Sequence, residues 1–258
     1  MDVRREPLTL ASGPYRLPGE LWRPPDRAVE KARLALVLCH GSTQKGMRHE
    51  LIRHLASELA RKWPVLTFDL PGFGRAPMLV IRGPGDYLYH EHLLAAARKA
   101  RELTGLPVVL IGHSMGGRVS LQAAIRGQEE GLVIGVVTLA GLYDLPSDPE
   151  AMEALVADFA SYVRVRFEVP MEEVARAIAE SRPTLRAVEA LKVPLLAVEA
   201  GREVYGFIRE TRYELFRKAR CPKTLVLLGR ADHKFKDHHD KLVEIISGWL
   251  EHRTGVPS

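Results

Sequence analysis

The stretch Val108-Val109-Leu110-Ile111-Gly112-His113-Ser114-Met115-Gly116-Gly117 decides how this chain is read. Its four branched apolar residues form the unbroken run expected of a strand buried on both faces. The run ends in G-x-S-x-G, and helical spacing begins at Met115 and continues to Arg126 without an intervening loop. A serine in that position sits on a sharp strand-to-helix turn, with its hydroxyl raised to the carboxyl edge of the sheet and a helix N-terminus beneath it. Side chains at the flanking glycines would collide with neighbouring backbone. Ser114 is therefore the expected nucleophile.

Outward from this unit, apolar runs alternate with amphipathic stretches, which is how βα units of a parallel sheet read. Thr9–Ala11 and Tyr15–Trp22 look like a short antiparallel lead-in. Leu34–Cys39, Val65–Phe68, Val133–Leu139, Leu195–Val198 and Thr224–Leu228 read as further strands. Helices are expected over Met47–Arg61, Asp86–Thr104 and Lys241–Leu250. The fold class is therefore α/β, a mostly parallel central sheet with helices on both faces.

Between Leu139 and Val193 the alternation breaks. Glu150–Val163 and Met171–Ser181 read as helices, Pro146, Pro149, Pro170 and Pro183 punctuate them, and no strand is evident. The length of this insertion favours a helical lid over the strand ends rather than a plain crossover. The expected division is a core of residues 1–143 and 190–258 with a lid of residues 144–189. Phe159, Tyr162 and Phe167 in the lid are candidates for lining an apolar acyl pocket, although such residues also serve to fix a lid to its core.

Composition excludes several classes. At 258 residues the chain fits one large domain with a sizeable core, and 46% apolar with 27% charged residues is ordinary for a globular protein. The net charge of +5 comes from scattered arginines, so no nucleic-acid partner is expected. No apolar run reaches membrane-spanning length, and MDVRREPLTL lacks the apolar segment of a secretory signal, so a cytoplasmic location without membrane association is expected. Cys39 reads as a small core residue and Cys221 belongs to no metal or redox motif. Asparagine is absent and glutamine is confined to Gln44, Gln122 and Gln128, a pattern expected of thermophilic proteins and also of GC-rich codon usage.

Three landmarks in order, His40-Gly41-Ser42 after an early strand, Asp69-Leu70-Pro71-Gly72-Phe73-Gly74 after the next, and the Ser114 elbow, make the chain resemble serine hydrolases of the α/β-hydrolase fold over nearly its whole length. That resemblance implies an oxyanion hole from the backbone N–H groups of Ser42 and Met115. It implies that His40 and Asp69 are structural. It also implies a catalytic histidine just past the last strand, which is His233 among the ten histidines. His113, inside the elbow, is read as pointing away from the nucleophile. His238 and His239 are expected in the first turn of the last helix with Asp237 as its cap. The triad acid follows the penultimate core strand in such proteins, which designates Glu203, with Asp144 as the alternative and Glu199 as a minor contender at the strand end.

A serine at the elbow disfavours chemistries that use a carboxylate nucleophile there, and leaves carboxylesterase, thioesterase, amidase, C–C hydrolase and perhydrolase activity open. A non-catalytic ligand-binding protein with the same pocket is the alternative from another class. No cofactor and no metal are expected. His49 and His54 lie five residues apart, about 140° around a helix, so they cannot share an ion, and His90-Glu91-His92 is too tight. The expected partner is a small ester-like molecule, and oligomeric state is not readable.

Overall fold

The computed structural model describes the chain except for residues 1, 84, 85, 87, 146, 147, 181–183, 205 and 254–258. The expected helix end at Ser181, and Pro146 and Pro183, lie outside the described residues.

The chain opens with a hairpin of β1 (Arg4–Ser12) and β2 (Tyr15–Arg23), turned at Gly13 with a φ of 56°. There follow α1 (Asp26–Val29), β3 (Ala35–Cys39), α2 (Glu50–Leu59), β4 (Val65–Phe68) and β5 (Leu79–Ile81). The centre holds α3 (Tyr89–Thr104), β6 (Val108–His113), α4 (Met115–Gly127) and β7 (Val133–Leu139). Next come α5 (Pro149–Tyr162), β8 (Val165–Phe167), α6 (Met171–Glu180) and α7 (Thr184–Ala187). The chain closes with β9 (Leu195–Ala200), α8 (Gly206–Lys218), β10 (Lys223–Leu228) and α9 (His239–Arg253).

Eight strands form one sheet in the order β1-β2-β4-β3-β6-β7-β9-β10, parallel from β4 to β10 and antiparallel at the β1/β2 and β2/β4 pairs. Alternation within β3 shows why its run is wholly apolar. Val37 and Cys39 enter the core beneath α3 and α4, whereas Leu36 and Leu38 enter the core beneath α2 and α9. β6 divides in the same way, with Val108 and Leu110 on the first face and Val109 and Ile111 on the second. Burying a leucine completely contributes about 2–3 kcal/mol, so both layers are held by such strands. Among the described residues no helix is long and apolar enough to cross a membrane.

The expectation of no strand in residues 144–189 is wrong. β8 pairs in parallel with β5, Leu79 opposite Val165 and Ile81 opposite Phe167, in a separate two-stranded sheet. Three residues are too few to display a period, and their partners lie far away in sequence. Gly72 sits where a Cβ would come within 3.0 Å of the Arg164 carbonyl and of Val163, so the insertion packs closely on the Gly-rich loop after β4. α5 and α6 share a small apolar cluster of Met152, Val156 and Ala175. The cap reading of Asp237 also fails: α9 starts at His239, and Asp237, at a φ of 64°, stands one residue too early to cap it.

Candidate active site

Ser114 links β6 to α4 with a φ of 55° and a ψ of −120°, a conformation that side-chain-bearing residues rarely adopt. The glycines around it are sterically required. A Cβ on Gly112 would lie 2.0 Å from the Gly116 carbonyl oxygen, and one on Gly116 would lie 2.3 Å from that of Cys39. The turn is fixed from the neighbouring strand, since Ser114 N–H donates to the Leu139 carbonyl at 2.9 Å and Leu142 N–H donates to that of Ser114 at 3.1 Å.

Three side chains from the carboxyl edge of the sheet meet there. His233 Nε2 lies 3.0 Å from Ser114 Oγ, and His233 Nδ1 lies 2.7 Å from Glu203 Oε2. The carboxylate accepts from Nδ1–H, which leaves Nε2 unprotonated and able to accept from the serine hydroxyl. Glu203 is buried, while Ser114 and His233 remain partly open to the cavity in front of them. Asp144 is not brought to His233; its Oδ1 accepts from the adjacent Leu145 N–H at 3.0 Å. Glu199 is buried one strand position beyond Val198, and accepts from the Tyr143 hydroxyl instead.

Gly41 passes so close to the elbow that a Cβ there would stand 3.0 Å from Ser114 Cβ. The next residue, Ser42, donates from Oγ to Met115 Sδ at 3.4 Å, so residues 42 and 115 abut. Met115 opens α4, and its N–H therefore has no acceptor within the helix. His40 holds this loop: Nδ1–H donates to the Gly41 carbonyl at 2.7 Å and Nε2 accepts from Leu70 N–H at 3.1 Å. Burial lowers its proton affinity, in keeping with a neutral ring. Asp69 accepts from Met47 N–H at 2.7 Å and from Arg75 N–H at 2.9 Å, which ties the two loops together.

His113 has a role that the sequence did not reveal. Its Nε2 stands 2.8 Å from the His233 carbonyl oxygen, and its ring centroid is 5.1 Å from that of His233. A carbonyl only accepts, so Nε2 carries the proton. Burial, reinforced by the nearby His233, lowers the His113 pKa to about 3 and keeps the ring neutral. His113 thus braces the histidine loop, across 120 positions of sequence.

A cavity of about 770 Å³ opens in front of Ser114. Phe159, Tyr162 and Phe167 all line it, together with Leu79, Ile81 and Met152. Phe159 also packs edge-on to Phe73 at 5.8 Å, so it contributes to the core as well as to the wall. Tyr89, Arg118 and Ile208 line the cavity too and were not anticipated. Only contacts between distant elements identify them, which sequence periodicity cannot display.

No curated protein matches this chain. Solved structures resemble it over nearly their full length. A dienelactone hydrolase from Anabaena variabilis is 17% identical with a TM-score of 0.67, covering 98% of this chain and 99% of its own. Est1E from Butyrivibrio proteoclasticus, solved with ferulic acid, is 17% identical with a TM-score of 0.72, covering 96% and 100%. The Pyrococcus furiosus esterase Pf2001 is 16% identical with a TM-score of 0.66, covering 98% and 92%. At such identities the likeness is one of fold. A family model described as the alpha/beta hydrolase family matches residues 36–255, and the chain belongs to that family.

Proposed function

We propose that this protein is a serine hydrolase that cleaves a carboxylic ester of a small, apolar acyl substrate. The observation that carries the reading is the hydrogen-bonded series Glu203–His233–Ser114, with separations of 2.7 and 3.0 Å, facing a cavity whose walls include the apolar side chains of Leu79, Ile81, Met152, Phe159 and Phe167. His233 Nε2 takes the hydroxyl proton as Ser114 Oγ attacks the acyl carbon. The tetrahedral oxyanion is stabilised by the N–H groups of Ser42 and Met115, which supply a few kcal/mol. The imidazolium returns the proton to the departing alcohol, leaving acyl-Ser114. Water, deprotonated by the same nitrogen, then releases the acid and restores the serine.

Residues 144–189 serve in this reading as a lid whose Phe159, Tyr162 and Phe167 select the acyl group. Esters are preferred over thioesters and amides because one of the structural relatives, Pf2001, is an esterase. A fluorophosphonate probe tests the reading: it should label the wild-type protein once and leave Ser114→Ala unlabelled, with turnover of aryl esters abolished alongside. Labelling that survives the substitution overturns the assignment. Absence of turnover across an acyl series despite a labelled Ser114 would favour a ligand-binding role instead.

A further inference from the structure

Glu199 is a carboxylic acid sealed inside the sheet layer that the proposed mechanism does not use. It is 1% exposed, and one oxygen accepts from the Tyr143 hydroxyl, whose oxygen lies 2.7 Å from Thr138 Oγ1 on the neighbouring strand. Tyr143 itself is fully buried, and its ring lies so close to Gly141 that a Cβ there would come within 2.4 Å of it. The Thr138–Tyr143–Glu199 chain therefore joins the end of β7 to the end of β9. Beyond Glu199 the backbone is held at each step, Gly201 N–H to the Leu228 carbonyl at 2.8 Å and Arg202 N–H to that of Ala231 at 2.9 Å. Glu203 is the next residue.

We propose that Glu199 is a positioning residue for Glu203, and that it performs this role only in its protonated form. Glu199 stands near the end of β9 and Glu203 follows the turn beyond it; both are buried, and two carboxylates so placed repel each other when both are charged. Glu203 is the one that carries charge, because it accepts from His233 Nδ1–H. Burial raises the Glu199 pKa to about 8, and the Glu203 charge adds to that rise. The opposing influences are the Tyr143 hydroxyl bond and the guanidinium of Arg212 on α8. Tyr143 is pushed well above the ordinary tyrosine range by its burial and by Glu199, so it does not ionise in the same interval. Loss of the Glu199 proton adds a second buried anion within electrostatic reach of Glu203; the repulsion displaces the Glu203 carboxylate from His233 and slows turnover.

The inference rests on the serine-hydrolase reading, and its test separates the two. The measurement is the pH dependence of kcat for an aryl ester, with fluorophosphonate labelling of Ser114 recorded in the same samples. Wild-type kcat should fall along an alkaline limb centred near pH 8, by about tenfold per pH unit beyond it. Glu199→Gln keeps an acceptor for Tyr143 but cannot ionise; its kcat at pH 7 should stay within about threefold of wild type, and the limb should disappear. Tyr143→Phe removes a bond that favours the anion, so its limb should move to higher pH, and this variant decides the matter if Glu199→Gln does not fold. A limb unchanged in either folded variant, or no limb in the wild type, overturns the proposal. Failure of Ser114 to label overturns the hydrolase reading instead.

Discussion

Replacing Glu203 by Gln changes the shape of the side chain hardly at all and removes its charge. The Glu203 side chain is 1% exposed and 2.7 Å from His233 Nδ1, so water does not take the place of the lost anion. An imidazolium and a carboxylate whose centres are about 4 Å apart attract by about 4 kcal/mol at an effective dielectric of 20. That attraction exists only once His233 is protonated, in the transition state, and losing it corresponds to roughly a thousandfold in rate. A carboxamide adds a second loss: when its NH2 faces Nδ1, the ring proton shifts to Nε2, and the nitrogen that must receive the serine proton is blocked. Together these put the expected loss at about four orders of magnitude in kcat with KM little altered. Initial rates with an aryl ester measure it, with melting curves to verify folding. Asp144→Asn is the matched comparison, and because Asp144 contacts its own neighbour Leu145, its kcat should remain within about threefold of wild type. A loss of that scale in Asp144→Asn with an active Glu203→Gln would refute the assignment of the acid.

Gly116→Ala should lose about 3 kcal/mol, since the added methyl meets two backbone carbonyls, at 2.3 and 2.6 Å, that cannot swing aside; in a chain of this size calorimetry should register a Tm lower by roughly 6–12 °C. Phe167→Ala should shift acyl-chain-length preference, read from kcat/KM over an ester series, more than it lowers Tm, whereas Phe159→Ala should lower both because of its contact with Phe73. His92 has its pKa lowered to about 4 by burial, so the unfolded chain takes up a proton near pH 6.5 that the folded chain refuses. Its stabilising contribution is complete above pH 6.5 and is lost as pH falls toward 4, and urea midpoints of His92→Gln should decline less over that interval than those of wild type.

The sheet was legible because buried parallel strands have to be apolar on both faces, and no other element of that length requires this. The elbow was legible for a different reason: a serine at φ 55° between a strand and a helix tolerates only glycine at positions 112 and 116, and both are glycine. The small β5–β8 sheet was not legible, because Leu79–Ile81 and Val165–Phe167 acquire strand character only from each other. α8 escaped notice as well. Its sequence, GFIRETRYELFRK, carries six charged residues in thirteen, and its anchors Ile208 and Leu215 are too few to mark a face. Glu203 is designated by its place after the penultimate core strand, yet nothing in that placement states that its carboxylate faces His233 rather than solvent; the contact is tertiary.

The site also explains why a histidine stands inside the elbow. β6, β7, β9 and β10 are consecutive in the sheet, so the chain leaving β10 must recross two strands to bring His233 to Ser114. By Ala231 it has reached the loop after β9, where its carbonyl accepts from Arg202 N–H at 2.9 Å. Two further residues extend by at most about 7 Å, while two strand spacings amount to about 9.5 Å. Backbone alone does not close that distance, and a long side chain carrying a donor does. The His113 imidazole supplies it, reaching the His233 carbonyl at 2.8 Å from the end of β6. Buried Phe235, in a left-handed conformation at φ 53°, then turns the chain back toward α9 with its ring 6.4 Å from that of His113. The position before Ser114 is thus constrained by the loop that carries His233, so the distance from His233 to Ser114 depends on residue 113 as well as on residue 203.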